Sequence, residues 1–342
     1  NLGLVHGAFE GSALELEIQV FDGETGAAAG NVERVTLAPG EFRQLNRVLT
    51  LGGPSVANGY VRVRRISGTA PTVVYGVVND GAASGGGTSD GSFVPSGGVT
   101  TEGLVPIVLD VPAASRFRTE LVLANPTAEA RLVSLRYASA PAFGVRTSGT
   151  ATTTLAPGRQ LVIADAIAFL RSNGVPIPSG AAVGGTLAVS GASALARTFN
   201  PNPDATVGGT FGVAYPAVPA EQRARRSALV FGLRHDESVR SNLALADARA
   251  ETATREYVID VYDGDHASEA PAFTLRRSLQ GGDWIQIDAI LRAGPEPLRT
   301  GWARVRVEGT ASTFVTYGVV NDGPEPGKGT SDGSYLPMNV ED

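Results

Sequence analysis

Apolar and polar residues alternate along much of this chain. Ala13 to Phe21 reads A-L-E-L-E-I-Q-V-F, with Glu15, Glu17 and Gln19 set between apolar neighbours. A period of two turns one face of a strand toward a core and the other toward water. Tyr60-Val61-Arg62-Val63-Arg64 and Trp302 to Val307 repeat the pattern. Thr72 to Val78 is more continuously apolar, which predicts a central strand covered on both faces. Asp22-Gly23, Pro39-Gly40, Asp80-Gly81 and Asp263-Gly264 punctuate the runs as turns do. Two short segments carry helical spacing behind an N-cap residue, Asp165 to Leu170 and Asp288 to Arg292. Asn46 to Leu49 is a weaker version of the same signal.

The pattern recurs on a larger scale. Tyr75 to Pro95 reads YGVVNDGAASGGGTSDGSFVP, and Tyr317 to Pro337 reads YGVVNDGPEPGKGTSDGSYLP. The two lie 317 − 75 = 242 residues apart and mark a duplicated unit. Asn1 to Leu4 aligns with Asn242 to Leu245, Ile18 to Gly23 with Ile259 to Gly264, and Gly59 to Arg64 with Gly301 to Arg306. A diverged middle copy places Glu120 to Asn125 against Asn242 to Asp247. Thr154 to Gly158 stands against Thr36 to Gly40, Thr186 to Val189 against Tyr60 to Val63, and Arg197 to Asn200 against Gly76 to Asn79. A repeat of roughly 120 residues is the size of one sandwich domain. The expected fold is therefore all-β: three tandem immunoglobulin-like antiparallel β-sandwich domains over residues 1–100, 101–221 and 222–342, each with a short helix. Short linkers around Gly97–Gly103 and Pro219–Arg226 predict a semi-rigid array.

One strand is unequally distributed. The second copy opens with Leu104-Val-Pro-Ile-Val-Leu109 and the third with Ala228-Leu-Val-Phe-Gly-Leu233. The first copy has no counterpart, because Asn1 already aligns with the strand that follows. A sandwich lacking this strand exposes an unpaired edge and a groove into its core. Three readings stand open. The sequence is cut from a longer chain, a sequence-distant segment fills the place, or another subunit donates a strand as in strand-complemented fibres. Asn339 to Asp342 offers no spare apolar strand. The first residue is Asn1 rather than Met, which predicts that a signal peptide or a larger N-terminal part was removed.

Composition narrows the partners. The 342 residues carry a formal net charge of −6 and no basic block, which argues against nucleic acid. No apolar run approaches a membrane span. The absence of cysteine excludes disulfides, thiolate metal sites and cysteine nucleophiles.

The duplicated loop is the best candidate for chemistry. Asn79, Asp80 and Asp90, and again Asn321, Asp322 and Asp332, sit among Thr88, Ser89, Ser92, Thr330, Ser331 and Ser334. Carboxylates with amide and hydroxyl oxygens on a Gly-rich loop suit Ca²⁺, although the spacing is not that of an EF-hand. The plainer reading is turn capping by Asp and Asn, with glycines at positive φ. The middle copy has Pro201 in place of Asp80 and Gly212 near the place of Asp90, so its loop should bind no metal. Gly87 to Gly91 and Gly329 to Gly333 match G-x-S-x-G. They lack the strand–turn–helix setting of a nucleophile elbow and a recurrent histidine. His6, His235 and His266 read as surface or turn residues and form no zinc pattern. Trp284, Trp302 and Tyr60 are candidates for a sugar platform, against core or half-buried roles. Arg62, Arg64, Arg304 and Arg306 read as a solvated face.

The segments T-E-L-V-L-A-N-P (Thr119 to Pro126), T-L-A-P-G (Thr154 to Gly158) and A-R-T-F-N…G-G-T-F-G…P-A-V (Ala196 to Val218) resemble the tandem β-sandwich modules of large secreted bacterial surface proteins. The resemblance spans all three copies and implies an extracellular or cell-surface location. It further implies a non-enzymatic structural or adhesive role as stalk, adhesion domain or filament subunit, with self-association or other surface proteins as partners. An array of carbohydrate-binding modules is the alternative, with a glycan as ligand. No catalytic residue and no cofactor is carried over.

Overall fold

A computed structural model describes residues 1–80, 91–96, 102–112, 117–144, 146–202, 206, 208–323, 325 and 332–341. The chain is nearly all β. The first copy contributes β1 (Leu2–His6), β2 (Leu14–Asp22), β3 (Ala28–Leu37), β4 (Phe42–Leu45), β5 (Gly59–Ser67), β6 (Thr72–Asn79) and β7 (Gly91–Pro95). They form two antiparallel sheets, ordered β4-β1-β6-β7 and β3-β2-β5. Alternation is what places β2. Leu14, Leu16, Ile18 and Val20 are buried, while Glu15, Glu17 and Gln19 remain partly exposed. Each such aliphatic burial is worth about 2 kcal/mol before chain entropy is set against it. Leu2 and Leu4 of the opposite sheet meet them in one core.

The second copy contributes β8 (Glu102–Val111), β9 (Phe117–Ala124), β10 (Arg131–Ser139), β11 (Ser148–Leu155), β12 (Gln160–Ile163), β13 (Val183–Ser190), β14 (Ser193–Pro201), β15 (Thr210–Pro216) and β16 (Val218–Pro219). One run is ordered β11-β10-β13-β8 and the other β12-β9-β14-β15. The end of β8 pairs with β9 and β16 pairs with the start of β8, so the two runs and β16 count as a single nine-stranded sheet folded over its own core. The third copy contributes β17 (Ser227–Arg234), β18 (Val239–Asp247), β19 (Arg255–Asp263), β20 (Phe273–Leu279), β21 (Trp284–Ile287), β22 (Thr300–Val307), β23 (Phe314–Asp322), β24 (Gly333–Pro337) and β25 (Asn339–Val340). Its sheets run β20-β19-β22-β17-β25 and β21-β18-β23-β24.

The expected helix at Asp165 is present as α1 (Ala166–Ser172), with the Asp165 carboxylate accepting from the Ala168 N–H at 2.8 Å. The one expected at Asp288 is not capped by that residue. A single 3-10 turn, Ile290–Arg292, follows Ala289 at φ 45°, and Asp288 instead accepts from Gln286 Nε2 at 2.7 Å. The first copy repeats this with a 3-10 turn at Val48–Thr50 behind Arg47 at φ 52°.

The copies touch directly. Leu104 and Ile107 of β8, with Val213, Tyr215 and Val218, bury against Ala244, Trp284, Val315, Tyr317 and Val319 of the third copy. Arg146 pairs there with Asp283. Between the first and second copies, Asn58 and Gln160 exchange amide hydrogen bonds at 3.2 and 2.6 Å. No helix among the described residues is long and apolar enough to cross a membrane.

Candidate functional site

The loop residues lie in two places, bonding to distant partners in the first copy and to nearby backbone in the third. In the first copy, Asn79 accepts from the Asn1 amide at 3.2 Å, and Asp80 Oδ2 accepts from the Thr210 N–H at 3.0 Å. Asp80 thereby reaches across to the second copy. Asp90, Thr88 and Ser89 lie outside the described residues, as do Thr330 and Ser331. In the third copy, Asn321 is buried and donates to the Val319 carbonyl at 3.2 Å. The Asp322 N–H donates to the Asp332 carbonyl at 2.8 Å, and the Asp332 carboxylate accepts from the Gly333 N–H at 2.7 Å. The carbonyls of Asp322, Gly323 and Glu325 accept from the buried Arg240 guanidinium at 3.3, 2.8 and 3.1 Å. A buried guanidinium thus satisfies three carbonyls of this loop. Among the described residues, no three His, Asp or Glu side chains converge as metal ligands.

Other candidates fall apart in space. Gly91 begins β7 and Gly333 begins β24, so a strand follows each G-x-S-x-G match. His6, expected as a surface or turn residue, is not at the surface. It is buried at the end of β1, with Nδ1 2.8 Å from the Ala8 carbonyl and Nε2 3.1 Å from the Ser12 carbonyl. His266 is exposed, and its hydrogen bond with Asp263 at 2.7 Å raises the imidazole pKa and lowers that of the carboxyl. Trp284 is buried, donating from Nε1 to Tyr317 at 3.0 Å. Trp302 stacks on Tyr262 at 3.9 Å and packs on Phe231 at 5.9 Å, and Tyr60 stacks on Phe21 at 5.1 Å. Three of the four strand-face arginines are paired rather than simply solvated, and Arg62 lies over the Phe21 ring. Arg64 reaches Glu17 at 2.7 Å, Arg304 reaches Glu341 at 2.8 Å, and Arg306 reaches Asp260 at 3.0 Å. Exposed pairs like these contribute about 0–1 kcal/mol each.

The most site-like feature is the place of the missing strand. β8 pairs with β13, and β17 pairs with β22. Their counterpart β5 pairs with β2 alone among the described residues. Beside it opens a cavity of about 980 Å³, at the upper end of the usual size of ligand clefts. Val61 and Val63 of β5 and Val74, Gly76 and Val78 of β6 form one wall, and Val122 and Leu195 of the second copy form the other. The lining is mostly apolar and remains open to solvent. Val78 is 62% exposed, whereas its third-copy counterpart Val320 is 8% exposed. β6 is thus a central strand without the two-sided cover its sequence predicted, while β23 has that cover. A second uncovered surface lies on the outer face of the first copy. Phe42, Val73 and Phe93 are exposed there, at the positions that Trp284, Val315 and Tyr335 hold in the seam of the third copy. The sequence flagged the slot through a failed alignment. It did not flag the second face, because the counterparts are apolar in both copies.

No family model, no curated protein and no solved structure matches the chain.

Proposed function

We propose that the protein is a non-enzymatic structural and adhesive array of β-sandwich units, working outside the cell or at a cell surface. The observation that carries this is the use of the repeated residues. Tyr317 and Val319 belong to the near-identical duplicated segment, and they are packed into the seam between the second and third copies. In the third copy the duplicated segment is used for packing, which suits a part that holds distance and orientation. A seam of buried aromatic and aliphatic side chains, tied by Arg146 and Asp283, resists hinge motion. The location rests on the resemblance of the strand and turn segments to secreted bacterial surface modules. Partners are then other surface proteins or further copies of the chain. Small-angle scattering tests the reading, with one rigid particle across a salt series as the expected result. A broad spread of angles between the second and third copies would count against it.

A second reading is carried by the stack of Tyr262, Trp302 and Phe231, of which Phe231 is exposed. Aromatic faces of this kind can hold a sugar ring, and the Phe21–Tyr60 pair repeats part of the arrangement. Glycan-array binding that disappears in Trp302→Ala would favour it over the structural role.

A further inference from the structure

The slot beside β5 has two filled counterparts in the same molecule, and they specify what fits it. In the second copy, β8 works on both faces at once. Val105 and Val108 enter the sandwich core, while Leu104 and Ile107 enter the seam with the next copy. In the third copy, Ala228, Val230 and Leu233 of β17 enter the core. Both strands carry a bulge at the same point. Val105 and Val108 face Leu187 and Gly185, two intervening residues against one. Val230 and Leu233 face Ala303 and Gly301 in the same way. The shared signature is an antiparallel strand whose core-facing residues jump from i to i+3 across a bulge.

The first copy keeps the receiving half of this arrangement. Val63, Val61 and Gly59 stand where Val305, Ala303 and Gly301 face Ala228, Val230 and Leu233. The floor is preserved too. A Cβ placed on Gly318 would lie 3.1 Å from both Val230 and Leu233, because β17 crosses directly over that glycine. At the counterpart Gly76 the nearest such contact is Val94 at 3.4 Å, and no strand among the described residues crosses. The far wall is apolar, with Val122 and Leu195 of the second copy facing the cavity much as the third copy faces β8.

We infer that this slot is a strand-acceptor site for one extended peptide segment, apolar on both faces, laid antiparallel along β5. Its core-facing residues sit opposite Val63, Val61 and Gly59, with the bulge between the last two. Its outer face carries aliphatic side chains against Val122 and Leu195. β8 and β17 are the strands of this kind among the described residues, and each is built into its own sandwich, so neither is free for a second copy to lend. The added strand gains a ladder of main-chain hydrogen bonds together with side-chain pockets, the usual basis of β-augmentation. The inference builds on the structural role proposed above. That role is tested by scattering without any peptide, so the two fail separately.

The probe is a labelled peptide with the sequence of Gly103 to Val111, titrated into the 342-residue protein. Saturable binding is expected, with new hydrogen-exchange protection across Gly59 to Ser67 and none gained in β13 or β22. A peptide carrying Val105→Asp and Val108→Asp should bind at least about tenfold more weakly, since each carboxylate would enter an apolar core. In the protein, Gly76→Leu has room to fold and fills the floor of the slot. It should weaken binding by a similar factor while leaving the circular dichroism spectrum unchanged. No saturable binding, protection mapped elsewhere, or equal binding by Gly76→Leu would overturn the proposal. So would a dimer whose β5 amides are already protected in the absence of peptide, because the slot would then belong to a second copy.

Discussion

Three different residues perform one task at the end of the first shared strand. Asp247, Asn125 and His6 occupy equivalent positions, since 247 − 241 = 6 and Glu120 to Asn125 aligns with Asn242 to Asp247. All three are buried. Asn125 Nδ2 donates to the carbonyls of Glu129, Leu155 and Ala156 at 2.8, 3.1 and 3.1 Å, and its Oδ1 accepts from the Thr127 hydroxyl at 2.6 Å. Asp247 accepts from Tyr257 Oη at 3.0 Å and from Arg249 Nη2 at 2.6 Å. Such a residue closes a corner whose backbone groups have no ladder partner. Asn125→Ala should therefore cost about 2–4 kcal/mol in urea unfolding, because several buried acceptors lose their donor together. Asp247→Ala should cost about 3–5 kcal/mol by stranding the nearly buried Arg249 cation. Losses below about 1 kcal/mol in both would mean that water replaces the side chains without penalty. The sequence contained the Asn125 corner as part of an A-N-P motif. It hid the equivalence with His6, because a lone histidine beside a glycine reads as a turn.

At the scale of elements, the strands and the Asp165 cap were legible, and the turns near Asn46 and Asp288 were not. Period-two alternation located β2, β5 and β22 because one face must avoid water, and that demand repeats at every second residue. The turn before Ile290 depends instead on a contact far away in sequence. Ala289 and Arg47, equivalent residues 242 apart, both adopt the left-handed conformation, at about 1–2 kcal/mol each. The Ala289 N–H donates to Asn242 Oδ1 at 3.0 Å, and the Arg47 N–H donates to Asn1 Oδ1 at 3.1 Å. The strand asparagine holds the strained turn. Where the second copy has Glu120 in the asparagine's place, an Asp165-capped α-helix stands instead. Local spacing around Asp288 carried no trace of this. Asn242→Ala should thus lower unfolding stability by about 1–2 kcal/mol. Adding Ala289→Gly should recover part of the loss, since glycine adopts positive φ without the Cβ clash. Failure of the second change to recover any stability would show that the asparagine acts by packing alone. The slot beside β5 was legible for a similar reason to the strands. A copied unit exposes any element that one copy lacks, even though the sequence names no occupant.

For the whole molecule, the buried tyrosines of the seam and cores make the fold sensitive to alkaline pH. Tyr137, Tyr215, Tyr257 and Tyr317 are buried, and burial pushes each phenol well above its ordinary pKa. For Tyr257 the neighbouring Asp247 charge adds to the rise. Tyr215 and Tyr317 meet edge to face at 5.4 Å in the seam, so their neutrality is tied to the contact between copies. In the unfolded chain a tyrosine ionises near pH ~10. Below that pH both states hold the proton, and the stabilisation is present in full. Above it the unfolded chain sheds protons that the native state keeps, so stability falls by about 1.4 kcal/mol per pH unit for each buried tyrosine. Four such groups acting together give a steep cooperative loss rather than a gradual one. Phenolate absorbance should therefore rise in two stages, exposed rings first and the buried ones only together with loss of the near-ultraviolet dichroism. Trp284→Ala opens the seam to water, and this relief of burial outweighs the loss of a donor that favours the Tyr317 phenolate, so in that variant the Tyr215 and Tyr317 signals should move to lower pH while Tyr137, inside the second core, stays in the late stage. If all eight tyrosines ionised together near the ordinary phenol value with the dichroism intact, the seam would be wet and the copies would not be packed as one body.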